Sequence, residues 1–567
     1  MTYDVVVGGG GPGGATIATL LAKQGYAVLL VEKQRFPRHH VGESLLPGIV
    51  PILQAMDALE KVEAAGFVRK YGATYAWGRN KEPWSIDFGS QGENVYAWEV
   101  DRSRFDQILL DNSRSHGVEV REETSVTDLL WDEGKIQGLI LDSRSRGAEQ
   151  VEARFYVDAS GQSAIIAQKL QGKQYNRHLQ NMAVYGYFEG AGRLEVPNDG
   201  DIFISATRDG WIWHIPLSDD LTSIGVVMDK GGLPRISAEG KEEFLARYIQ
   251  DCPQMKPLCQ NARLVSPAHI VKDWSYRAQS FAGSNYLLVG DAACFIDPIL
   301  SSGCFLAMHG GYIGAICLNT ILKQKQAEPK LFLDFYCQTY NRLFDSFLDM
   351  AYFWYGGHRS TEALFWQAKK KMVNPAWNVH ARRAFIYLAA GFSGNQALQQ
   401  IAGRDSAGFS SHELPILYRE MGYGPGDLTV ESLPFPCKNF CDLYEAQSAD
   451  LPLHELQDTM MLRIVRGVRI EDTMVERSFQ WYNAVKVISN GEVAAILDYF
   501  PEGCVLEEEY KALLNLLHDS KSLKSVKETL LGRDLRLSNN NLLKMDSDSI
   551  SSMLAKVLKL GIIEVVK

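Results

Sequence analysis

The chain opens Tyr3-Asp4-Val5-Val6-Val7-Gly8-Gly9-Gly10-Gly11-Pro12-Gly13-Gly14, and the reading of this stretch decides the fold. Residues 3–7 form a short apolar run rich in β-branched side chains, as a buried strand requires. Residues 12–24 have helical spacing and 27–32 are apolar again, so the segment reads as one βαβ unit. Gly9-x-Gly11-x-x-Gly14 leaves the strand and opens the helix. Gly9 permits the tight turn, Gly11 lets a pyrophosphate approach the backbone, and Gly14 lets helix and strand pack closely. The helix N-terminus then presents free N–H groups and a positive dipole end to phosphates. Glu32, eighteen residues after Gly14, closes the second strand where an acid accepts hydrogen bonds from ribose hydroxyls. A lone glycine string is a weak signal. Strand, helix, second strand and terminal acid together define a dinucleotide site.

The rest of the 567-residue chain is too long for one ordinary core, so two or three packed units are expected. With 46% hydrophobic and 22% charged residues the composition is that of a globular protein. A formal net charge of -10 argues against a basic, nucleic-acid-binding surface. The nine cysteines are scattered and odd in number, which opposes a disulfide framework. Cys437 and Cys441 come nearest to a pair but lack the further ligands of a metal site, so no metal is expected. The N-terminus enters its strand without a basic leader. No apolar run approaches the roughly 20 residues of a spanning helix. A cytoplasmic protein without a membrane span is the expectation.

Further strands are expected at 154–158, 224–228 and 286–289, with an aromatic, β-branched segment around a turn at 67–78. Helical patterns lie at 104–115, 241–250 and 302–322. From about residue 330 the texture becomes helical and aromatic-rich, over 331–353 and 359–372, until 422–427 and 433–441 interrupt it. Beyond about 450, short amphipathic helices precede a β-like run at 561–566. These patterns predict a core over 1–330, a helical region packed on it over 331–445, and a small helical or winged-helix-like module over 446–567. Gly310-Gly311-Tyr312-Ile313-Gly314 sits inside a helical pattern, so close helix packing explains it better than a second nucleotide site.

Two strand-then-turn sequences extend the picture: Tyr156-Val157-Asp158-Ala159-Ser160-Gly161 and Leu287-Leu288-Val289-Gly290-Asp291-Ala292-Ala293. With Asp101-Arg102-Ser103-Arg104-Phe105-Asp106 they stand in the order that resembles the FAD-binding domain of the aromatic-hydroxylase class of flavoproteins. That resemblance implies FAD, with Asp291 on the ribityl chain and Arg104 as a cofactor contact. The fold class it implies is α/β: a Rossmann-type FAD domain, a β-sheet substrate region and a mainly helical C-terminal extension.

Three more strings are similar to flavin-dependent halogenases. Trp211-Ile212-Trp213-His214-Ile215-Pro216 matches the W-x-W-x-I-P signature, and its indoles, two residues apart, share one side of an extended strand. Bulky side chains beside the flavin ring would keep a substrate away and leave a small oxidant to travel. Arg69-Lys70-Tyr71-Gly72-Ala73, followed by Trp77-Gly78, looks like the segment that carries the family's essential lysine. An ammonium at Lys70 can hydrogen-bond hypochlorous acid, and a neutral amine can form a chloramine. Gly42-Glu43-Ser44-Leu45-Leu46-Pro47, after Arg38, resembles the strap that crosses near the flavin. At Asp297-Pro298-Ile299-Leu300-Ser301-Ser302-Gly303 the amides of Ser302 and Gly303 form a candidate halide nest. Leu300 stands where tryptophan-directed members carry a catalytic glutamate, a departure shared with the phenol- and pyrrole-directed branch.

The resemblance covers roughly residues 1–370. It implies reduced FAD delivered by a separate flavin reductase, oxygen and chloride or bromide as co-substrates, and hypohalous acid passed to Lys70. The expected substrate is an electron-rich, phenolic ring, either a small molecule or a carrier-protein-bound unit. A single-component aromatic hydroxylase, a geranylgeranyl-reductase-like enzyme and a non-catalytic redox-sensing flavoprotein are the alternatives.

Overall fold

The computed structural model describes residues 3–77, 83–88, 95–170, 172–323 and 329–357, and strand segments between 461 and 566. The first unit, Met1–Phe435, is built on two sheets. In the first, β1 (Tyr3–Gly8) leads through α1 (Pro12–Lys23) to β2 (Val28–Val31), pairing in parallel from Val5 opposite Val28. Val5, Val6 and Val7 are fully buried because helices cover a parallel sheet on both faces, so the strand is apolar throughout. The following helix, α2 (Arg102–Ser115), starts at Asp101, whose side chain accepts from the Ser103 amide at 2.8 Å. Strands Glu119–Arg121, β3 (Ala153–Asp158) and β4 (Tyr286–Leu288) extend the sheet in parallel, in the order β4, β3, β1, β2, Glu119–Arg121.

The second sheet is mainly antiparallel and has nine strands. Its centre is Lys173–Glu189, Leu221–Asp229, Gly210–Pro216 and Ile202–Thr207, and Ile202–Thr207 runs parallel to Gly72–Ala76. One face packs under helix Lys241–Asp251, where Phe244, Leu245, Tyr248 and Ile249 meet Val184, Ile224 and Val226. Each such side chain contributes about 1.5–3 kcal/mol on burial.

Helix α3 (Gly303–Lys323) lies between α1 and α4 (Pro329–Gly357). A Cβ on Gly311 would stand 2.7 Å from the Gly13 carbonyl oxygen, and one on Gly310 would stand 2.6 Å from the Tyr340 ring. The glycines of this helix serve close packing, as its periodicity predicted. One expectation needs correction: α3 is long and apolar enough to cross a membrane, with 78% of its apolar window buried inside the protein. Its apolarity answers to protein neighbours on most sides, since a helix packed all round is hydrophobic all round.

The second unit, Pro436–Lys567, contains the segment 446–567 where a small helical or winged-helix-like module is expected. Its described residues are strands. Val468–Arg477, Gln480–Ser489 and Glu492–Leu497 form an antiparallel meander, and Met461–Ile464 pairs with Lys521–Ser522 and with Ile563–Val566. Thr473, Val475, Tyr482, Val485, Val487 and Ile488 give this meander β-branched and aromatic content that helical periodicity does not register. The helices expected at 359–372 and the Cys437/Cys441 pair lie outside the described residues. Helix α4, in the region expected to pack on the core, lies against α3 within the first unit.

Candidate active site

The two sheets share a cavity of about 770 Å³. Gly9, Gly11, Glu32, Arg38, Gly42, Glu43, Ser44, Asp291, Ser302 and Gly303 all line it, and so do Trp211 and Trp213.

At one end the glycine turn makes a nucleotide cradle. Gly9 has φ +114°, and a Cβ there would stand 2.2 Å from the Ala159 carbonyl oxygen, so only glycine fits. A Cβ on Gly14 would be 1.9 Å from the Gly9 oxygen, the tight strand–helix approach expected. A Cβ on Gly11 would meet only Arg38 Nη2, at 3.5 Å, so this backbone faces open cavity. Arg38 pairs with Asp106 at 3.3 Å through Nη2, and its Nη1 is buried without a protein partner. An unsatisfied guanidinium N–H beside an open helix N-terminus suits a phosphate oxygen. Glu32 accepts from the amides of Gly10 and Gln34, each at 2.8 Å, which holds its carboxylate at the cavity edge. Asp291 is half-buried on the wall; desolvation pushes its carboxyl up to about 6 against the pull of Arg102 and Lys173. These groups fit FAD.

Arg104 is not part of this wall. It is exposed, with its guanidinium 5.4 Å over the Phe67 ring. The arginine of this helix that lines the cavity is Arg102, clamped by both oxygens of Asp106 at 2.8 and 3.0 Å and donating to the carbonyls of Val41 and Gly42 at 3.1 Å. The helix explains the change. Residues 102, 105, 106 and 109 share its buried face, and 104 points away from them. The spacing of Phe105 and Leu109 was the signal available for finding Arg102.

At the other end Ser301 takes a left-handed conformation, φ +53°, which turns the chain so that Ser302 and Gly303 open α3 at the cavity. Behind this turn Asp297 accepts from the Ile299 amide at 3.0 Å, from Asn181 at 2.8 Å and from the Tyr355 hydroxyl at 2.9 Å. Tyr355 also accepts from Trp211 Nε1 at 2.8 Å. The signature tryptophan and the turn that opens α3 are thus held by one buried network. Trp211 and Trp213 stand with ring centroids 6.0 Å apart on the same wall, as their two-residue spacing predicted. Pro216 is buried at the end of that strand and does not reach the wall, whereas Ile215 does. Leu300 is buried and apolar.

Lys70 is 1% exposed and so differs from the solvated surface lysine of an ordinary turn. Its Nζ donates to Ser44 Oγ at 2.6 Å; that hydroxyl donates to Glu99 at 3.1 Å, and Lys70 and Glu99 lie 3.7 Å apart. Strand Val68–Lys70 pairs with Ala97–Glu99, and Ser44 bridges to Glu99, which joins the strap to the lysine. Burial pushes the Glu99 carboxyl up to about 7, with Lys70 opposing the rise. Asp201, pushed up to about 6, also feels Lys70 and accepts from the amides of Gly72 and Tyr71 at 2.9 and 3.3 Å. Lys70 therefore touches the cavity through Ser44, which lines it. Glu99, Asp201 and Tyr355 carry no motif of their own, and only the tertiary contacts bring them in.

A Rossmann-type unit and an antiparallel sheet enclosing one nucleotide-shaped cavity define the class: this is an FAD-binding enzyme fold. Over residues 4–95 and 91–398 the chain matches the tryptophan halogenase family. It is 35% identical over 370 residues to a tryptophan 2-halogenase of Chondromyces crocatus, spanning 65% of this chain and 70% of that one. It is also 35% identical over 343 residues to the flavin-dependent halogenase ptaM of Pestalotiopsis fici, spanning 56% and 63% of the two chains. The myxobacterial chondrochloren halogenase CndH matches in structure with a TM-score of 0.64 at 35% identity, covering 74% of this chain and 97% of that one. CmlS, a flavin-dependent halogenase, shares the fold with a TM-score of 0.68 at 24% identity over 100% and 96% of the chains. The chain belongs to the family of FAD-dependent halogenases, and it is an oxidoreductase that uses FAD, oxygen and a halide.

Proposed function

We propose that this enzyme halogenates a phenolic ring, with halide held at Ser302 and Gly303 and hypohalous acid positioned by Lys70. Reduced FAD, when bound, supplies with oxygen the oxidising equivalents for the halide. The observation that carries the reading is the buried hydrogen bond from Lys70 to Ser44, because a charge this deep is costly unless it has a task and partners. Ser44 and Glu99 act as positioning residues that fix the ammonium. Trp211 and Trp213 bar a large substrate from the flavin side, so orientation at the lysine sets where the ring is attacked. A buried leucine at 300 leaves no carboxylate at that position to assist a weakly activated ring. A phenolate is nucleophilic without such help. The ring arrives as a free small molecule or on a carrier protein, and a separate reductase supplies the flavin.

Two measurements test this on the same samples. Lys70→Ala is expected to abolish halogenated product by mass spectrometry, while FAD binding and oxygen-dependent flavin reoxidation persist. Lys70→Arg is expected not to rescue, since a planar guanidinium aims its donors differently. Near-normal product from Lys70→Ala refutes the role of Lys70, and loss of flavin reoxidation reassigns Lys70 to cofactor support. A panel of phenols, free and carrier-bound, and tryptophan identifies the ring.

A further inference from the structure

Halogenation consumes protons. Counting reduced flavin as a hydride carrier, one dioxygen, one halide ion, one aromatic C–H and two protons become oxidised flavin, an aryl halide and two waters. Dioxygen takes four electrons, two from the hydride and two from the halide as it forms the carbon–halogen bond. Two protons must therefore enter for each turnover, into a cavity that a nucleotide and two indoles largely fill.

The wall contains a line of groups suited to that entry. Glu43 lines the cavity and is 2% exposed. It accepts from the Tyr187 hydroxyl at 2.7 Å. Tyr187 lies 2.9 Å from Nε2 of His39, which is exposed at the cavity mouth. Since the single Tyr187 proton goes to Glu43, His39 Nε2 is the donor in the second contact. The groups facing this line are Ser223, Arg102, Asp101 and the buried Glu99 carboxyl around Glu43, Tyr185 beside Tyr187, and His269 stacked on His39 at 4.8 Å.

We infer that His39, Tyr187 and Glu43 form a proton relay through the cavity wall, from solvent to the reacting oxygen. The His39 imidazolium gives its Nε2 proton to the Tyr187 oxygen as Tyr187 passes its own to the Glu43 carboxylate, which leaves His39 a neutral imidazole. Glu43, now a neutral acid, donates that proton to reduced oxygen, which leaves as water, and His39 is reprotonated from solvent. Burial pushes the Glu43 carboxyl up to about 7 and lowers His39 below its ordinary value, which brings donor and acceptor close in proton affinity. The relay rests on the halogenase activity and is independent of the role proposed for Lys70.

The test has two parts. In the flavin-free protein, infrared titration should show protonated-carboxyl absorption with a midpoint near 7, from Glu43 and Glu99, of which the Glu43 part is lost in Glu43→Gln and the Glu99 part remains. In the holoenzyme, Tyr187→Phe should keep FAD affinity within about twofold, slow turnover by about a hundredfold and enlarge the solvent isotope effect. His39→Ala, at an exposed position, should lose turnover that added imidazole restores. The relay is overturned by an unchanged rate and isotope effect in Tyr187→Phe, by the absence of a Glu43 band, or by activity loss that tracks lost FAD affinity without imidazole rescue. Lys70→Ala, measured beside them, is expected to lose product with an unaltered isotope effect on flavin reoxidation, which separates the two hypotheses.

Discussion

At Gly11 the missing side chain is the functional group. Gly11→Val should fold, because a Cβ there meets only an arginine tip, yet it fills the space a pyrophosphate needs. Loss of FAD binding in a fluorescence titration is the expected result, and retained wild-type affinity contradicts the cradle. Arg102 and Arg104 of α2 make a sharper pair. Arg102→Ala should weaken FAD binding by about ten- to a hundredfold, the loss of one charge-assisted hydrogen bond, while Arg104→Ala stays within about twofold. The buried carboxyls bear on stability. Glu43 and Glu99 are both raised from 4.5 to about 7 by burial, so the native state holds protons that the unfolded chain releases. Their contribution is complete below the unfolded value of 4.5 and is lost as pH rises through the folded value near 7. Calorimetry of the flavin-free protein should show Tm falling from about pH 5 to about pH 8, and less steeply in Glu43→Gln. An identical slope in that variant would count against a buried, neutral Glu43.

Among the elements, α4 is the one whose work is least visible from its own sequence. Tyr355, near its end, ties the turn at Asp297 to the indole of Trp211. Removing the hydroxyl in Tyr355→Phe leaves buried donors and an acceptor short of a partner, which costs about 1–3 kcal/mol. Because the network lies directly behind Ser302 and Gly303, the halide KM should rise more than turnover at saturating halide falls. Thermal unfolding and halide-dependent product formation check the two effects separately. A lowered Tm with an unchanged halide KM would limit the network to holding the fold.

For the whole molecule the decisive feature is economy of nucleotide sites. Among the described residues the parallel sheet presents one glycine cradle, and the second glycine string, 310–314, is consumed in packing α3 against α1 and α4. NADH or NADPH alone should therefore leave bound FAD oxidised, with reduction following only when a flavin reductase is added. Absorbance of the flavin reports this directly, and stoichiometric reduction by the nicotinamide alone refutes the two-component reading.

What the sequence determined by itself was local. The βαβ unit, the glycine turn, Glu32, the strand alternation of Trp211 and Trp213 and the core helices were legible because spacing within one element dictates them. Arg102 shares the buried face that Phe105 and Leu109 mark, so helical spacing points to it where motif likeness points to Arg104. The tail's meander escaped because its strands mix polar and apolar residues with no clean period. Tertiary structure alone decided the rest. Motif likeness singles out Lys70, but its burial follows only from Ser44, Glu99 and Asp201, brought around it from three distant segments. Glu43 reads as one letter of a strap until Tyr187 and His39 stand in line with it. A side chain's charge state and task depend on its burial and its partners. Those are set by contacts between residues far apart in the chain, and no local pattern records them.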